Sequence, residues 1–573
     1  MNGIIQNMKR SYGSSLKHFW EIAKLYWFGN EKSGALSLLL LLVVFLLTST
    51  WLGVALNTQQ GVIISALATK ETSRFWRAIL NFVVILLSYA PLLAGFNYIT
   101  GKLGNYWRQW LTGNLLSGYL SNRNFYSLVG NSEIDNPDQR ISEDIKSFTQ
   151  DSLKFLLLVV GYVFQVIAFS GVLWQIYKPL FFLIIVYGLL GSILTVLVFG
   201  RPLVGLRFEQ LRKEANFRFG LVHIRDNAES IAFYRGESQE SKMGMLLFRE
   251  VFNNFNSIIN WQFYLDLVAK IFAFIPYVIP PIALATKVFS GELEVGKVSE
   301  AIGAFILVFT ALGFIVEQFQ SLTTFGAGIE RLHTFSQTLD KQGKLQDSSQ
   351  SHPEKIQTIN NDSLAVQNLT LLTPNYFKIL FRNLSLELEL ERGLLIIGES
   401  GCGKSSLLRA IAGLWDSGTG EIIRPTLDNM LFLPQRPYMT LGSLRSQLLY
   451  PKTDFINTCD EHLNHILHQV NLPNLVERLG SLDVEKVNWS DVLSIGEQQR
   501  IAFARLLIAK PQYAILDEAT SALDVTNEGH LYEQLVNSGI TYISVGHRPT
   551  LEKYHHLVLE ILENGEWRLR EPV

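Results

Sequence analysis

An α-helical membrane domain of six transmembrane helices, followed by a cytosolic α/β nucleotide-binding domain, is the architecture this sequence predicts. Three observations carry the prediction. Up to about Gln320 the chain is dominated by apolar runs, six of them long enough to cross a bilayer. After about Asn360 it reads as a soluble α/β domain. Within that second part "GLLIIGESGCGKSSLLRAIAGLW" has the form of an apolar strand, a glycine loop and a helix.

Composition supports the split and removes some function classes. Hydrophobic residues make up 48% and aromatics 12% of the 573 residues, more than a soluble chain of this size carries, and the excess lies in the first part. A net charge of −2 gives no reason to expect a nucleic-acid partner, because a phosphate backbone calls for a concentrated basic surface. The two cysteines, Cys402 and Cys459, have no metal-type spacing and rule out a disulfide framework; they read as free thiols.

Residues 1–32 form an N-terminal cytosolic or interfacial segment. They lack the apolar stretch and small-residue cleavage site of a secretory signal. Leu16, Phe19, Trp20, Ala23, Tyr26 and Trp27 recur at helical spacing, with Lys17 and Lys24 between them. Such a helix fits either the membrane interface or a packed position against the rest of the protein.

The membrane domain is expected over 33–335, with spans near Ser33 to Leu56, Ala78 to Ile99, Leu153 to Gln175, Leu180 to Gly200, Leu265 to Ala285 and Ala301 to Gln320. Only "IYKP" separates the third from the fourth, whereas the connections after the second and fourth run to about fifty or sixty residues. These long connections read as cytoplasmic extensions of the spanning helices. Basic residues concentrate before the first span (Lys9, Arg10, Lys17, Lys24, Lys32) and after the fourth (among them Arg201, Arg207, Arg212, Lys213 and Arg218). By the positive-inside rule the N-terminus, both long connections and the C-terminal domain face the cytoplasm. Pro276, Pro280 and Pro281 predict a kink in the fifth span. Asp266, Lys270 and Glu317 lie near the ends of the last two spans, where they are either pathway groups or residues of helices already in water.

From 336 to 362 polarity is high and periodicity is lost, so this stretch reads as a linker; the nucleotide-binding domain follows over 363–573. Gly398 to Ser405 matches the phosphate-loop pattern G-x-x-x-x-G-K-[ST]. Gly398, Gly401 and Gly403 let the backbone curl its N–H groups toward an anion, with Glu399, Ser400 and Cys402 as the residues between them. Lys404 would reach the β- and γ-phosphates of a nucleotide, and the Ser405 hydroxyl would ligate Mg²⁺; Ser406 follows in the first helical turn. Farther on, "YAILDEATSALD" ends an apolar strand in Asp517, placed for the Mg²⁺ shell, and Glu518, a base for an attacking water.

These stretches, with Gln435 in "LFLPQRPYM", "LSIGEQQR" and His547 in "ISVGHR", occur in order over about 150 residues. They resemble the Walker A loop, Q-loop, signature, Walker B with D-loop, and switch histidine of the ATP-binding-cassette ATPases. "GLW", "NWSDVLSIGEQQR", "NPDQRI" (Asn136 to Ile141) and "NAESIAFYRGESQE" (Asn227 to Glu240) are similar to subfamily D half-transporters and to bacterial relatives with an SbmA/BacA-like membrane domain. The resemblance implies an exporter-like membrane domain, ATP and Mg²⁺ as cofactors, and a set of roles. Ser405, Gln435 and Asp517 would hold the metal; Glu518 would be the catalytic base, with His547 on the γ-phosphate; Asp524 would join two sites through the D-loop; Tyr376 would stack on adenine. Glu229 and Gly236 match the family's cytoplasmic-loop pattern, which either contacts the ATPase or is an ordinary packed helix.

In this family the signature of one chain closes on the nucleotide of another, which assigns Ser494, Gly496 and Glu497 to a partner's ATP and implies a dimer, most simply a homodimer, with a heterodimer with a related half-transporter as the alternative. Ile495 stands where the common pattern has glycine. A positive φ there would strain a β-branched residue by roughly 1 to 3 kcal/mol. A helix-entry position would cost little, and this is the expectation, because every other motif is intact. The resulting prediction is a membrane-bound, dimeric ATPase that moves a bulky amphipathic or hydrophilic solute, of acyl-CoA or fatty acid, cobalamin or peptide class. For a bacterial source the location is the inner (plasma) membrane. An ATP-gated channel or regulator, and proton-driven uptake with a modulatory ATPase, are the competing readings.

Overall fold

The structure is a computed structural model that describes residues 16–128, 136–347, 355–374, 378–451, 458–486, 488–562 and 565–572. It divides into two compact units, 1–348 and 349–573.

The first unit is helical, and among its described residues six helices are long and apolar enough to cross a membrane. Before them, α1 (16–27) buries Ile22, Ala23 and Tyr26 among Leu103, Trp107, Phe148 and Phe335. Its other face leaves Leu16, Trp20 and Leu25 outside the core. The packed placement is therefore realised on one side, and the face left over is the apolar one an interface would cover. Two cross-pairs fasten this helix: His18 Nδ1 lies 2.8 Å from Glu330 Oε2, and His333 Nε2 lies 2.7 Å from Glu21 Oε2.

The first two spans, α2 (Lys32–Ala68) and α3 (Thr72–Leu120), are far longer than a bilayer requires. At 1.5 Å per residue the 49 residues of α3 extend about 73 Å, so roughly half of it projects beyond the hydrocarbon. A π-helical turn, Arg140–Asp144, carries "NPDQRI" into α4 (Ile145–Ile176). There the buried Asp144 accepts from Arg140 at 3.0 Å and from Arg331 at 2.6 and 3.0 Å, a carboxylate whose desolvation is met by two guanidinium groups. One extended residue, Tyr177, separates α4 from α5 (Lys178–Thr195), which carries Pro179 in its first turn, where the missing N–H costs nothing.

The second long connection is a helical hairpin: α6 (Arg201–Asp226), the short α7 (Ala228–Tyr234) and α8 (Glu237–Phe274). The "NAESIAFYRG" stretch forms α7, which buries none of its residues and ends on Arg235 in the left-handed region. Glu229 is exposed there, and Gly236 is the residue before α8. The fifth span is not one helix. It breaks into a 3₁₀ turn, Ile275–Tyr277, at Pro276 and resumes as α9 (Ile279–Phe289). Asp266 is exposed and accepts from Gln262, and Lys270 is exposed on the same helix. The Glu317 side chain lies outside the described residues.

The sixth span, α10 (Val295–Glu317), starts earlier than its hydropathy suggests, because the charges in its first turns are paired. Buried Glu300 accepts from the Thr58 hydroxyl at 2.8 Å and from Lys297 Nζ at 2.6 Å, and its carbonyl accepts from Asn57. Beside it Gly296 meets Gly61 so closely that a Cβ would collide with the Gly61 carbonyl. Small residues are what allow α2 and α10 this approach. The last helix, α11 (Phe319–Asp347), takes in 336–347, expected to be linker. Leu332, Phe335 and Leu339 form its buried stripe at i, i+3 and i+7, which continues the helix past the expected boundary.

Among the described residues the second unit holds a two-stranded pair, Gly442–Ser443 with Glu485–Lys486, and two larger sheets. Strand β1 (Gln357–Asn360), which precedes the expected start of this domain, joins β2 (Leu364–Leu372), β3 (Ile379–Leu388) and β5 (Gly418–Arg424) in the order β1-β5-β2-β3. The larger sheet holds β4 (Gly393–Gly398), β6 (Met430–Leu433), β7 (Tyr513–Asp517), β8 (Thr541–Val545), β9 (Leu557–Ile561) and β10 (Trp567–Arg570), in the order β10-β9-β4-β8-β7-β6. All but the β10 edge pair in parallel. Both faces are covered: Leu394, Ile396, Tyr513, Ile515 and Ile543 enter one apolar cluster, and Leu395, Ala514, Leu516 and Tyr542 the other. This is why these strands read as unbroken apolar runs. Register levels their C-terminal ends, with Val545 opposite both Ile396 and Asp517, and Leu433 opposite Leu516.

Candidate functional site

Four adjacent parallel strands deliver the expected site residues at that levelled edge: the glycine loop after β4, Gln435 after β6, Asp517 and Glu518 at the end of β7, and His547 after β8. Carboxyl ends of parallel strands are where open α/β sheets bind ligands.

After β4 the chain turns through Gly398 (φ +151°), Gly401 (+84°) and Gly403 (+106°) into α12 (Lys404–Ile411). A Cβ on Gly398 would stand 2.5 Å from the Ile561 carbonyl oxygen, so glycine is required there for space as well as φ. Glu399 and Ser400 are exposed at the lip, Cys402 packs against the apolar cluster beneath, and Ser406 follows in the first helical turn. The buried Lys404 ammonium curls into the loop and donates to the Gly398 and Glu399 carbonyls at 2.8 and 2.7 Å. Next to it, Ser405 Oγ donates to Asp517 Oδ1 at 2.9 Å. Burial pushes the Asp517 carboxyl above the usual range, the Ser405 bond draws it partly back, and the neighbouring Glu518 charge adds to the rise.

Glu518 sits in the left-handed region at φ +47°, a conformation that costs a non-glycine residue about 1–3 kcal/mol. Its amide and both carboxylate oxygens are engaged there. Its N–H donates to the Val545 carbonyl, Gln435 Nε2 donates to Oε2 at 2.7 Å, and His547 Nε2 lies 3.1 Å from Oε1.

The signature stretch is built separately. Trp489 is buried and donates to the Gly442 carbonyl, and Ser494 caps α13 (Ile495–Ala509). Ser494 Oγ accepts from the Glu497 N–H while Glu497 Oε2 accepts from the Ser494 N–H, a complete capping box. Burial would raise the Glu497 carboxyl, but the Arg478 guanidinium at 2.7 Å and the Ser494 N–H outweigh it and hold it below the usual range. Ile495 is the first helical residue, has no positive φ, and turns outward, 55% exposed. Strain is absent there. Gly496 lies against Ala522 and Leu523, the loop that ends at Asp524. Asp524 itself caps α14 (Val525–Asn537), accepting from the Asn527 N–H at 2.8 Å. Tyr376 lies outside the described residues.

Two polar side chains that the motifs do not single out organise the loop after Glu518. Gln499 bonds it from α13, and Arg548, next to His547, donates to the Leu523 and Ser521 carbonyls at 2.8 and 3.3 Å and to Glu528. Gln499 lies within "LSIGEQQR" and Arg548 ends "ISVGHR", which was the available signal.

The profile described as ABC transporter transmembrane region 2 matches residues 22–289, and the one described as ABC transporter matches 381–521. An uncharacterized ABC transporter ATP-binding protein of Synechocystis sp. is 44% identical over 93% of this chain and 81% of its own length. The chain belongs to the ABC transporters. Within that family it is similar to the chloroplastic ABC transporter D family member 2 of Arabidopsis thaliana, 36% identical over 95% of this chain and 86% of that one. It is also similar to the human lysosomal cobalamin transporter ABCD4, 31% identical over 97% and 96%. The family inferred from the motifs is the family found, a half-transporter type with one membrane region and one ATPase domain. As an ABC transporter the chain is a multi-pass membrane protein that binds and hydrolyses ATP to drive transport.

Proposed function

We propose that this ABC transporter works as a homodimer in the inner (plasma) membrane, its N-terminus and ATPase domain cytoplasmic, and moves a bulky amphipathic or hydrophilic solute. The observation that carries the catalytic reading is the convergence on Glu518, held by Gln435 and His547 beside the Ser405–Asp517 pair. The loop N–H groups and Lys404 bind the β- and γ-phosphates, Lys404 exchanging its two carbonyl partners for phosphate oxygens. The Ser405 hydroxyl, the Asp517 carboxylate and the Gln435 amide are hard oxygen donors of the kind Mg²⁺ takes, and would hold it. Bound Mg²⁺ would supply charge neutralisation at the phosphates.

Glu518 takes the proton of the attacking water as its oxygen bonds to the γ-phosphorus, while the bond to the bridging oxygen of ADP breaks. His547 then turns from Glu518 to the γ-phosphate. One chain carries one phosphate loop and one signature turn, so two chains complete two sites. Ser494, Gly496 and Glu497 serve the partner's nucleotide, and Asp524 lies where the two sites adjoin. Higher ATP affinity for the joined state drives the membrane regions between inward and outward access.

The orientation follows from the basic residues of the N-terminus and of the α6 to α8 hairpin. For the solute, the relative named as a cobalamin transporter supports the cobalamin class beside acyl-CoA, fatty acid and peptide. ATPase activity of the purified protein, assayed across cobalamin, acyl-CoA and peptide panels, tests this. Stimulation by one class identifies it, and a flat response to all three overturns the solute assignment.

A further inference from the structure

Helix α13 begins with the turn assigned to the partner's nucleotide, and one turn later it carries a glutamine that none of the roles above uses. Gln499 is fully buried. Its Nε2 donates to the Gln435 carbonyl at 3.1 Å and to Ser521 Oγ at 3.3 Å, and its Oε1 accepts from the Ala522 N–H at 3.1 Å. Both loops it grips bear on Glu518. The Gln435 side chain donates to the Glu518 carboxylate, and the Ser521 N–H donates to the Glu518 carbonyl at 3.0 Å. Gly496, at the head of the same helix, packs on Ala522 and Leu523.

A buried amide with donor and acceptor both engaged resists distortion, because each broken bond would leave a desolvated polar group. An α-helix moves as a unit over so short a distance. A shift of the Ser494–Gly496 end of α13 therefore carries Gln499 with it, and through Gln499 both loops that set Glu518.

We propose that Gln499 is a positioning residue that ties contact of the signature turn with the partner's nucleotide to the placement of Gln435 and Glu518 in this chain's own site. It rests on the reading that the turn receives the partner's ATP. Under it, ATP held by one chain aligns the catalytic carboxylate of the other, and the two sites fire together rather than independently.

The test uses the full-length protein in lipid nanodiscs, with turnover followed against ATP concentration and nucleotide binding measured separately with a fluorescent ATP analogue. Gln499→Leu keeps the volume and removes all three bonds. Its kcat should fall at least about tenfold, as for a misplaced catalytic group, with binding within about twofold of wild type and a Hill coefficient near 1. Gln499→Glu keeps the acceptor for the Ala522 N–H and should lie between the two. Ser521→Ala, at an exposed loop position, removes one bond without burdening the fold and should shift kcat and Hill coefficient in the same direction, by about twofold to threefold.

Wild-type kcat and Hill coefficient in Gln499→Leu overturn the proposal, as does a loss of binding that matches the loss of kcat. Should Gln499→Leu fail to fold, an unchanged Ser521→Ala overturns it instead. Gly496→Asp places a carboxylate in the turn and separates the two readings. Retained turnover there overturns the shared ATP site and the relay with it, whereas lost turnover beside an unaffected Gln499→Leu overturns the relay alone.

Discussion

The two units solve opposite problems with the same twenty side chains. In the membrane unit, large apolar residues face outward: Leu40, Trp51, Leu87 and Leu197 are each about two-thirds exposed in the isolated chain, and polar residues such as Asn57, Ser65 and Glu300 are turned in. In the ATPase unit the central strands β4, β7 and β8 are apolar on both faces, and the candidate site residues gather at their carboxyl ends. The first unit is held by how closely helices approach, the second by which residues a sheet lines up. Substitutions should therefore fail differently in the two: by lost assembly in one, by lost chemistry in an intact fold in the other.

The largest effects are expected at the strand ends. Glu518→Gln should lower kcat by about 10²-fold to 10⁴-fold, the usual loss when a general base is removed, while ATP binding persists. Near wild-type turnover in that variant would break the comparison at its centre. Lys404→Ala should instead weaken nucleotide binding itself, read directly with a fluorescent ATP analogue.

In the membrane unit Gly296→Leu should act on assembly and not on chemistry. The added side chain meets the Gly61 backbone and Ser65, an overpacking worth about 1–3 kcal/mol or more, seen as a lower melting temperature in detergent. Turnover per folded molecule lost before stability would show that the α2–α10 contact is catalytic in its effect, and the contrast would need redrawing.

A smaller effect concerns pH. The Glu497 carboxyl is held below its ordinary value of 4.5, so its contribution to stability is present above that value and is lost as pH falls through the folded-state value. Glu497→Gln should therefore melt below wild type near neutral pH, and the gap should close on acidification below pH 4.5. A gap that widens instead would mean that Arg478 does not hold this carboxylate. The smallest change is expected for Ile495→Gly: with ordinary φ and an outward side chain there is no strain to relieve, so turnover should stay within about twofold. A large gain would place strain where the backbone has none.

The same contrast decides what could be read beforehand. The phosphate loop, Asp517, Glu518 and His547 were legible because each is a local pattern at the end of an apolar run, and parallel pairing brings such ends together. The spans were legible from length. Their limits were not: Lys297 and Glu300 lowered the hydropathy of the sixth, and only pairing with Thr58 and with each other shows why they belong inside it. The polar composition of 336–347 concealed the end of a helix whose buried stripe, Ile329, Leu332, Phe335 and Leu339, lies mostly before it. Gln499 and Arg548 stood within quoted motifs, but what they bond could not be read, because their partners lie in loops distant in sequence, which neither periodicity nor spacing encodes.

The capping box of Ser494 has a further consequence. The serine oxygen accepts the Glu497 N–H, which leaves its own hydroxyl proton available to an incoming anion. The turn thus keeps one shape with or without a neighbour, and the rotamer entropy of ordering it is lost when the domain folds rather than each time two domains meet. In the proposed dimer every round of association would begin from a surface already preorganised, which favours the brief, repeated encounters that a cycling engine requires.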